Sequence, residues 1–148
     1  SFVHGHTYGG NPLSCAVALA VQNYVKKHNL VSRCARMGNM MLEKLKPLKA
    51  LPIVGDVRGK GLMIGLEFVA DKQQRTPFDA EKDVTSLIVN QAFDKGVLVM
   101  PGAPGLIDGI AGDHIAISPP YTISESEIDE IVQVLKETIE QISNDLGY

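Results

Sequence analysis

Apolar residues recur every three or four positions in the first third of the chain, which is the period of an amphipathic α-helix. A first helix is predicted to start after Asn11, a favourable N-cap residue, with Pro12 in its first turn, and to end at the polar residues 26–29. A second helix is predicted to follow directly and to fade at Pro47 and Pro52. The two predicted apolar faces consist of Leu13, Val17, Ala20, Val21, Tyr24 and Val25, then Val31, Cys34, Met37, Met41, Leu42, Leu45 and Leu48.

The same period returns twice in the second half of the chain. A third helix is predicted from residue 79 or 80 to Lys95, with Gly96 as its stop. The fourth has the clearest start, because Ser124 and Glu127 have the spacing of a capping box. Residues 101–112 lie between them, lack periodicity, and form a loop that either lines a site or crosses the surface. The predicted inward positions are Val84, Leu87, Ile88, Ala92 and Phe93, then Ile128, Ile131, Val132, Leu135, Ile139, Ile142 and Leu146.

Elsewhere the apolar period is two, which indicates β-strands. Residues 53–58 and 62–69 are joined by the glycine-containing residues 59–61, and this pattern predicts an antiparallel hairpin. Short strands are predicted at residues 97–100 and 114–118. The resulting order of helices and strands predicts an α+β fold in which helices cover a small, mostly antiparallel sheet.

Composition and charge narrow the classes of partner. The net charge is −3 and no run of Lys or Arg occurs, which argues against nucleic acid or an anionic membrane surface as a partner. No apolar stretch approaches the roughly 20 residues of a membrane span, and no signal-peptide pattern is present, so we expect a cytoplasmic protein. Cys15 and Cys34 lack the spacing of a metal pair and are predicted to be reduced, buried thiols.

A glycine-rich loop, residues 2–12, runs directly into the first helix. Backbone N–H groups and the positive end of the helix dipole converge at such a position, so the loop predicts an anion site, with phosphate as the natural ligand. Thr7 would add a hydroxyl donor, and His6 stands close by. Alternatively, Thr7 and Tyr8 only shape the turn, and His4 and His6 make local hydrogen bonds. No metal site is predicted, because the two histidines lack a carboxylate or thiol companion.

Four strings in the sequence carry a resemblance to a known family. They are HGHTYGGNPLSCAVALA at residues 4–20, VRGKGLMIGLEF at 57–68, GVLVMPG at 96–102 and GDHIAISPPYTISESEIDEIVQVL at 113–135. In order and spacing they resemble the C-terminal part of the class III, pyridoxal-phosphate-dependent aminotransferases of fold type I. The resemblance implies that residues 1–28 end the large domain, with the cofactor-phosphate loop and an interdomain helix. It also implies that residues 29–148 form the C-terminal small domain, so the chain looks like a piece of a longer protein.

The resemblance also implies roles for the loop residues in a homodimer. Thr7 would bind the phosphate of the pyridoxal phosphate held by the neighbouring subunit, with Tyr8 and His6 beside it. In the family, the lysine that forms a Schiff base with the cofactor lies before the threonine, at a position that precedes this chain. We therefore expect no catalytic residue here and no activity from the chain alone. The available lysines are predicted to be solvated and no substitutes, namely Lys26, Lys27, Lys44 and Lys60.

Substrate recognition is where the chain departs from the family members that act on ornithine, acetylornithine or 4-aminobutyrate. Those carry an Arg three residues before a Pro-Pro pair, whereas this chain has Ala116 there. The string resembles the omega-amino-acid and amine:pyruvate branch instead, which implies an amine or amino-acid donor and a small oxo-acid acceptor. Arg58 could bind a substrate carboxylate or could be a structural residue of the hairpin. The remaining arginines considered are predicted to be solvated, namely Arg33, Arg36 and Arg75.

Two non-catalytic alternatives stay open. The chain could be a module that binds a phosphorylated ligand and shares the small-domain fold. It could also be an oligomerisation module that uses the apolar faces of the first two helices as its interface.

Overall fold

The computed structural model describes residues 3–103 and 105–148. Ser1 and Phe2, at the start of the predicted loop, and Pro104, within the predicted segment 101–112, lie outside the described residues. The α-helices and strands follow the predicted order and are α1 (Pro12–Lys27), α2 (Leu30–Leu45), β1 (Val54–Lys60), β2 (Met63–Phe68), α3 (Val84–Asp94), β3 (Met100–Pro101), β4 (Asp113–Ile117) and α4 (Glu125–Asp145). No helix in these two ranges is long and apolar enough to cross a membrane.

The strands form one antiparallel sheet in the order β1-β2-β4-β3. Alternate residues of β2 and β4 point into a core shared with α2, α3 and α4, including Ile64, Leu66, Phe68, Ile115 and Ile117. This period of two is the one that the sequence showed, because a half-buried sheet hides every second side chain. The predicted α+β class is confirmed, with the helices packed on one face of the sheet.

The opposite face of the sheet, which we call the open face, carries the other set of side chains. The strand register aligns Arg58, Gly65, Ala116 and Met100 in one row across the sheet. A neighbouring row contains Asp56, Glu67 and His114. The open face is therefore charged towards β1 and small or apolar towards β3.

The fourth helix begins as predicted. Ser124 Oγ accepts a hydrogen bond from the Glu127 N–H, and the Glu127 carboxylate accepts one from the Ser124 N–H, at 3.2 Å and 2.7 Å. These hydrogen bonds from the Ser124 backbone and hydroxyl lower the pKa of Glu127. The predicted capping box is confirmed.

Two predicted strand boundaries were wrong. Gly59 and Lys60 belong to β1, and the turn consists of Gly61, which takes a positive φ of 56°, and Leu62. The predicted strand at 97–100 is reduced to β3, because the Val97 N–H instead binds the Ala92 carbonyl at the end of α3. The alternation in this segment is nevertheless real, since Val97 is buried while Leu98 is 78% exposed.

Several burial predictions were also wrong. The third helix is interrupted by Asp83 in a left-handed conformation, so its α-helical part starts at Val84. Leu87 and Phe93, predicted to face inward, are exposed. Val31 is exposed at the start of α2. Cys15 is exposed rather than buried, because α1 buries none of its residues, while Cys34 is half-buried.

Candidate functional site

The loop before α1 is fixed by its own backbone. The Gly9 N–H donates to the His6 carbonyl at 2.9 Å, and the Asn11 N–H donates to the Tyr8 carbonyl at 3.1 Å. Asn11 Oδ1 accepts from the Ser14 N–H at 3.1 Å, so the predicted N-cap is confirmed. The turn leads directly into the N-terminus of α1, where unpaired backbone N–H groups and the helix dipole favour an anion.

The three predicted site residues of this loop, His6, Thr7 and Tyr8, all lie at the surface. The Thr7 hydroxyl makes no hydrogen bond to any residue in the described part of the chain, so it is available as a donor. Tyr8 is 75% exposed, and the His6 ring meets the His4 ring edge-on with centroids 5.0 Å apart. These groups fit a phosphate through hydrogen bonds, but the loop contributes no Lys or Arg, so most of the counter-charge must come from elsewhere.

The helix that carries this loop is uncovered. Leu13 is 74% exposed, and Val17 and Tyr24 are more than half exposed. A helix of 16 residues with no buried residue lacks the packing that usually stabilises helices of this length. Both the loop and α1 therefore present surfaces suited to contact with another part of a protein.

Arg58 lies on the open face between two carboxylates. Its Nη1 is 3.2 Å from Asp56 Oδ2 and 2.6 Å from Glu67 Oε2, and Lys49 Nζ is 2.9 Å from Asp56 Oδ1. The hydrogen bonds to Glu67 and Asp56 raise the pKa of Arg58, and those from Lys49 and Arg58 lower the pKa of Asp56. No hydrogen bond or ion pair links Arg58 to the N-terminal loop within the described residues.

This ion network predicts an acid-sensitive contribution to stability. The lowered pKa of Asp56 means that its carboxylate stabilises the fold above its unfolded pKa of about 3.9, and that this contribution is lost as the pH falls through the lower folded pKa. We expect Lys49→Met to remove about 0.5 kcal/mol at pH 7 but less at pH 2, because the pair is partly exposed.

The measurement is the unfolding free energy from urea titrations at both pH values. Lys136→Met is the matched control, because Lys136 lies 3.9 Å from Glu140 on α4, away from the network. If Lys49→Met and wild type lose the same free energy between pH 7 and pH 2, the Lys49–Asp56 pair does not account for the acid sensitivity.

Ala116 lies in β4 on the open face of the sheet. Its register partners are Gly65 and Met100, so no cation lies in the row beyond Arg58. A substrate carboxylate placed above Gly65, Ala116 and Met100 would meet only the small or apolar side chains of this row.

One arginine predicted to be solvated was misjudged. Arg33 on α2 donates to the carbonyls of Tyr121 at 3.0 Å, Thr122 at 3.3 Å and Ile123. It thereby ties α2 to the segment that follows the Pro-Pro pair. Its partners are backbone carbonyls at least 88 residues away along the chain, which no sequence pattern reveals.

The lysine predictions are mostly confirmed. Lys26, Lys27 and Lys60 are exposed, although Lys60 ends β1 rather than lying in the turn. Lys44 is half-buried and pairs with Asp129 of α4. Arg36 and Arg75 are exposed as predicted.

Sequence reasoning missed a buried polar contact on the core-facing side of β4. The Asp113 carboxylate accepts hydrogen bonds from the N–H and the hydroxyl of Thr85, both at 2.8 Å. The Thr85 hydroxyl in turn accepts from the His114 N–H at 3.1 Å. This contact joins the N-terminus of α3 to β4, and no local sequence pattern pairs two residues 28 positions apart.

Several known proteins are similar to this chain in sequence and in fold. The chain is 40% identical to the uncharacterized aminotransferase YodT of Bacillus subtilis over 96% of its length, and 37% identical to gamma aminobutyrate transaminase 3 of Solanum lycopersicum over 93%. Its structure resembles an amine transaminase from an uncultivated Pseudomonas species in a pyridoxal-phosphate-bound form, with a TM-score of 0.81 and 38% identity over 95% of the chain.

The chain spans only part of these proteins. It covers 32% of the Bacillus protein, 26% of the tomato protein and 30% of the Pseudomonas structure. The family model described as aminotransferase class-III matches residues 1–139. The chain therefore belongs to the class III aminotransferase family.

Proposed function

We propose that this chain is the C-terminal part of a pyridoxal-phosphate-dependent transaminase and that its N-terminal loop holds the cofactor phosphate. The observation that carries the proposal is the unpaired Thr7 hydroxyl, exposed on a glycine-rich turn at the N-terminus of α1. An oxyanion is the ligand that this combination of donors favours.

The same proposal assigns residues 1–28 to the end of the large domain and residues 29–148 to the small domain. The absence of buried residues in α1 supports this boundary, as does Asn29, whose φ of 50° separates α1 from α2. All of the buried hydrophobic residues in the described part lie within 29–148.

The role of the loop is to bind and orient. When bound, pyridoxal phosphate supplies an electron sink for charge that develops on a substrate carbon. Thr7 would donate its hydroxyl proton to a phosphate oxygen, and the α1 dipole would favour the negative charge. His6 and Tyr8 would flank the phosphate. In a homodimer, this loop serves the neighbouring subunit, and the catalytic lysine belongs to another part of the protein.

The substrates in this proposal are an amine or omega-amino acid as donor and a small oxo acid as acceptor. Support comes from Ala116 and its neighbours Gly65 and Met100, which offer no charge to a second carboxylate. The name of the similar Pseudomonas amine transaminase agrees with such a donor. Arg58 remains the candidate for a substrate carboxylate, since its Nε and Nη2 have no hydrogen bond within the described residues, but Asp56 and Glu67 already balance its charge.

The test uses the whole protein, with the polypeptide that precedes this chain. We expect it to transfer an amino group from an amine to pyruvate. Thr7→Ala should weaken pyridoxal phosphate binding by about tenfold, the loss of one charge-assisted hydrogen bond, and Thr7→Ser should restore most of it. Equilibrium dialysis followed by cofactor absorbance measures the affinity.

Ser32→Ala, at an exposed position of α2, is the control and should bind the cofactor normally. Unchanged affinity in Thr7→Ala would remove the loop from the cofactor site. A whole protein that neither binds pyridoxal phosphate nor transfers amino groups would contradict the transaminase assignment itself.

Two non-catalytic alternatives remain. The exposed apolar surface of α1 favours an oligomerisation module, and the second alternative is a module that binds another phosphorylated ligand. The same whole-protein experiment separates them from a transaminase. A self-associating protein without cofactor affinity supports the first, and affinity for phosphorylated molecules other than pyridoxal phosphate supports the second.

A further inference from the structure

A cleft of about 500 Å³ opens at the β1 end of the open face and is lined by no described residue of the N-terminal loop. Its walls come from β1, β2, the segment after α2 and the loop after β2, and its lining residues are Lys49, Gly55, Asp56, Arg58, Glu67, Val69, Lys72 and Arg75. Its volume falls within the range of small-molecule sites.

The charges in this cleft do not cancel. Lys49 and Arg58 are paired with Asp56 and Glu67, which leaves the cations of Lys72 and Arg75. Within residues 3–103 and 105–148, neither Lys72 nor Arg75 has a carboxylate within ion-pair distance. Two positive charges in the cleft therefore lack a counter-charge.

The ammonium group of Lys72 is held in place by backbone. Lys72 Nζ donates to the carbonyl of Lys49 and, at 3.1 Å, to that of Leu51. Carbonyl oxygens position the ammonium group but leave its net charge intact. Lys72 thus presents a fixed cation beside the Lys49–Asp56 pair.

The loop that carries both cations is itself ordered. Asp71 Oδ1 accepts from the N–H groups of Gln73 and Gln74 at 2.7 Å and 3.0 Å. The Thr76 N–H donates to the Asp71 carbonyl at 3.0 Å, and the Thr76 carbonyl accepts a hydrogen bond from the Asp71 N–H. A cation on a loop closed in this way loses less conformational entropy on binding than one on an open chain.

We propose that this cleft binds a small molecule that carries a doubly charged oxyanion, either a phosphate or a pair of carboxylates. Lys72 and Arg75 supply the unbalanced charge, and Arg58 supplies the N–H groups that its carboxylates leave free. Asp56 and Glu67 already balance the charges of Lys49 and Arg58, so the net attraction for an anion comes from Lys72 and Arg75. The cleft shares Arg58 with the proposed substrate site but no residue with the N-terminal loop, so a failure of phosphate or citrate to bind here leaves the cofactor assignment of Thr7 untouched.

The test is a titration of the 148-residue chain with inorganic phosphate and, separately, with citrate, followed by amide chemical shifts in NMR at constant ionic strength. We expect saturable shifts centred on residues 71–76. Lys72→Met/Arg75→Met should weaken binding by at least about tenfold, since it removes both unbalanced charges.

Arg36→Met/Lys136→Met removes the same net charge at exposed positions outside the cleft and should bind as wild type does. A preference for phosphate or for citrate identifies the source of the oxyanion, and either one supports the site. Shifts that do not saturate, shifts centred elsewhere, or equal weakening in the two double variants would overturn the proposal. Circular dichroism checks that both variants remain folded.

Discussion

Gly38→Ala is expected to destabilise the folded chain by about 3 kcal/mol, because no space exists for one methyl group. Gly38 lies inside α2 where the helix meets the β1–β2 turn. A Cβ atom at this position would lie 2.1 Å from both the carbonyl carbon and the oxygen of Gly61, and 2.5 Å from its Cα. These are backbone atoms, and they cannot retreat without moving the whole hairpin away from α2.

The sign of the change in unfolding free energy distinguishes the effect of the tertiary contact from that of intrinsic helix propensity. Alanine is favoured over glycine inside a helix by about 1 kcal/mol, so a helix without this contact would gain stability from the substitution. Urea unfolding measures the difference. Asn39→Ala, at the next and exposed position of α2, is the control and should leave stability unchanged or raise it slightly. If Gly38→Ala were as stable as wild type, the close approach of α2 to Gly61 would be wrong.

Local signals predicted much of this fold. The N-cap at Asn11 and the capping box of Ser124 and Glu127 are formed by residues three positions apart, so the sequence contains both partners together. The alternation in β2 and β4 was equally readable, because one face of the sheet is buried. These features depend on chain neighbours or on a simple period.

The features that sequence reasoning missed depend on distant partners. Asp83 interrupts the third predicted helix through a left-handed backbone conformation, although aspartate alone does not require one. Arg33 was taken for a solvated residue because the carbonyls that it binds belong to residues 121–123. Cys15 was expected to be buried because the apolar pattern of α1 indicates a covered face, but nothing in the described part of the chain buries a residue of this helix.

The same distinction between local and distant partners applies to the candidate site. Glycines, a hydroxyl and a helix start are adjacent in sequence, so the anion site proposed at the Thr7 loop could be inferred from the sequence. The charge balance around Arg58 could not, because Glu67 comes from the paired strand β2 and only Asp56 lies on the same strand. Lys72 became a candidate ligand only when the fold placed its ammonium group beside the carbonyls of Lys49 and Leu51.

The contact between Asp113 and Thr85 is the clearest case of a long-range polar group that the fold needs. Asp113 is 8% exposed and stands 28 residues from Thr85, whose N–H belongs to the first turn of α3. A carboxylate at this position satisfies an amide that the helix cannot pair and also favours the dipole. It anchors β4, and with it His114 and Ala116, to α3.

Asp113→Ala is therefore expected to cost about 3 kcal/mol in unfolding free energy, because it leaves the N–H and the hydroxyl of Thr85 buried without their acceptor. Asp113→Asn keeps an acceptor oxygen and should cost less. Thr85→Val removes one of the two donors and should cost about 1 kcal/mol. The double variant Asp113→Ala/Thr85→Val should cost at least about 1 kcal/mol less than the sum of the two single variants, since the residues act as a pair.

Chemical denaturation of the four variants and of the control Asp94→Ala measures the unfolding free energies for this double-mutant comparison. Asp94 ends α3, is exposed and has the same charge as Asp113, so its replacement should change stability by less than about 0.5 kcal/mol. Additive costs for Asp113→Ala and Thr85→Val would contradict a direct contact. A loss in Asp94→Ala as large as that in Asp113→Ala would show that net charge, rather than the hydrogen bonds to Thr85, sets the stability.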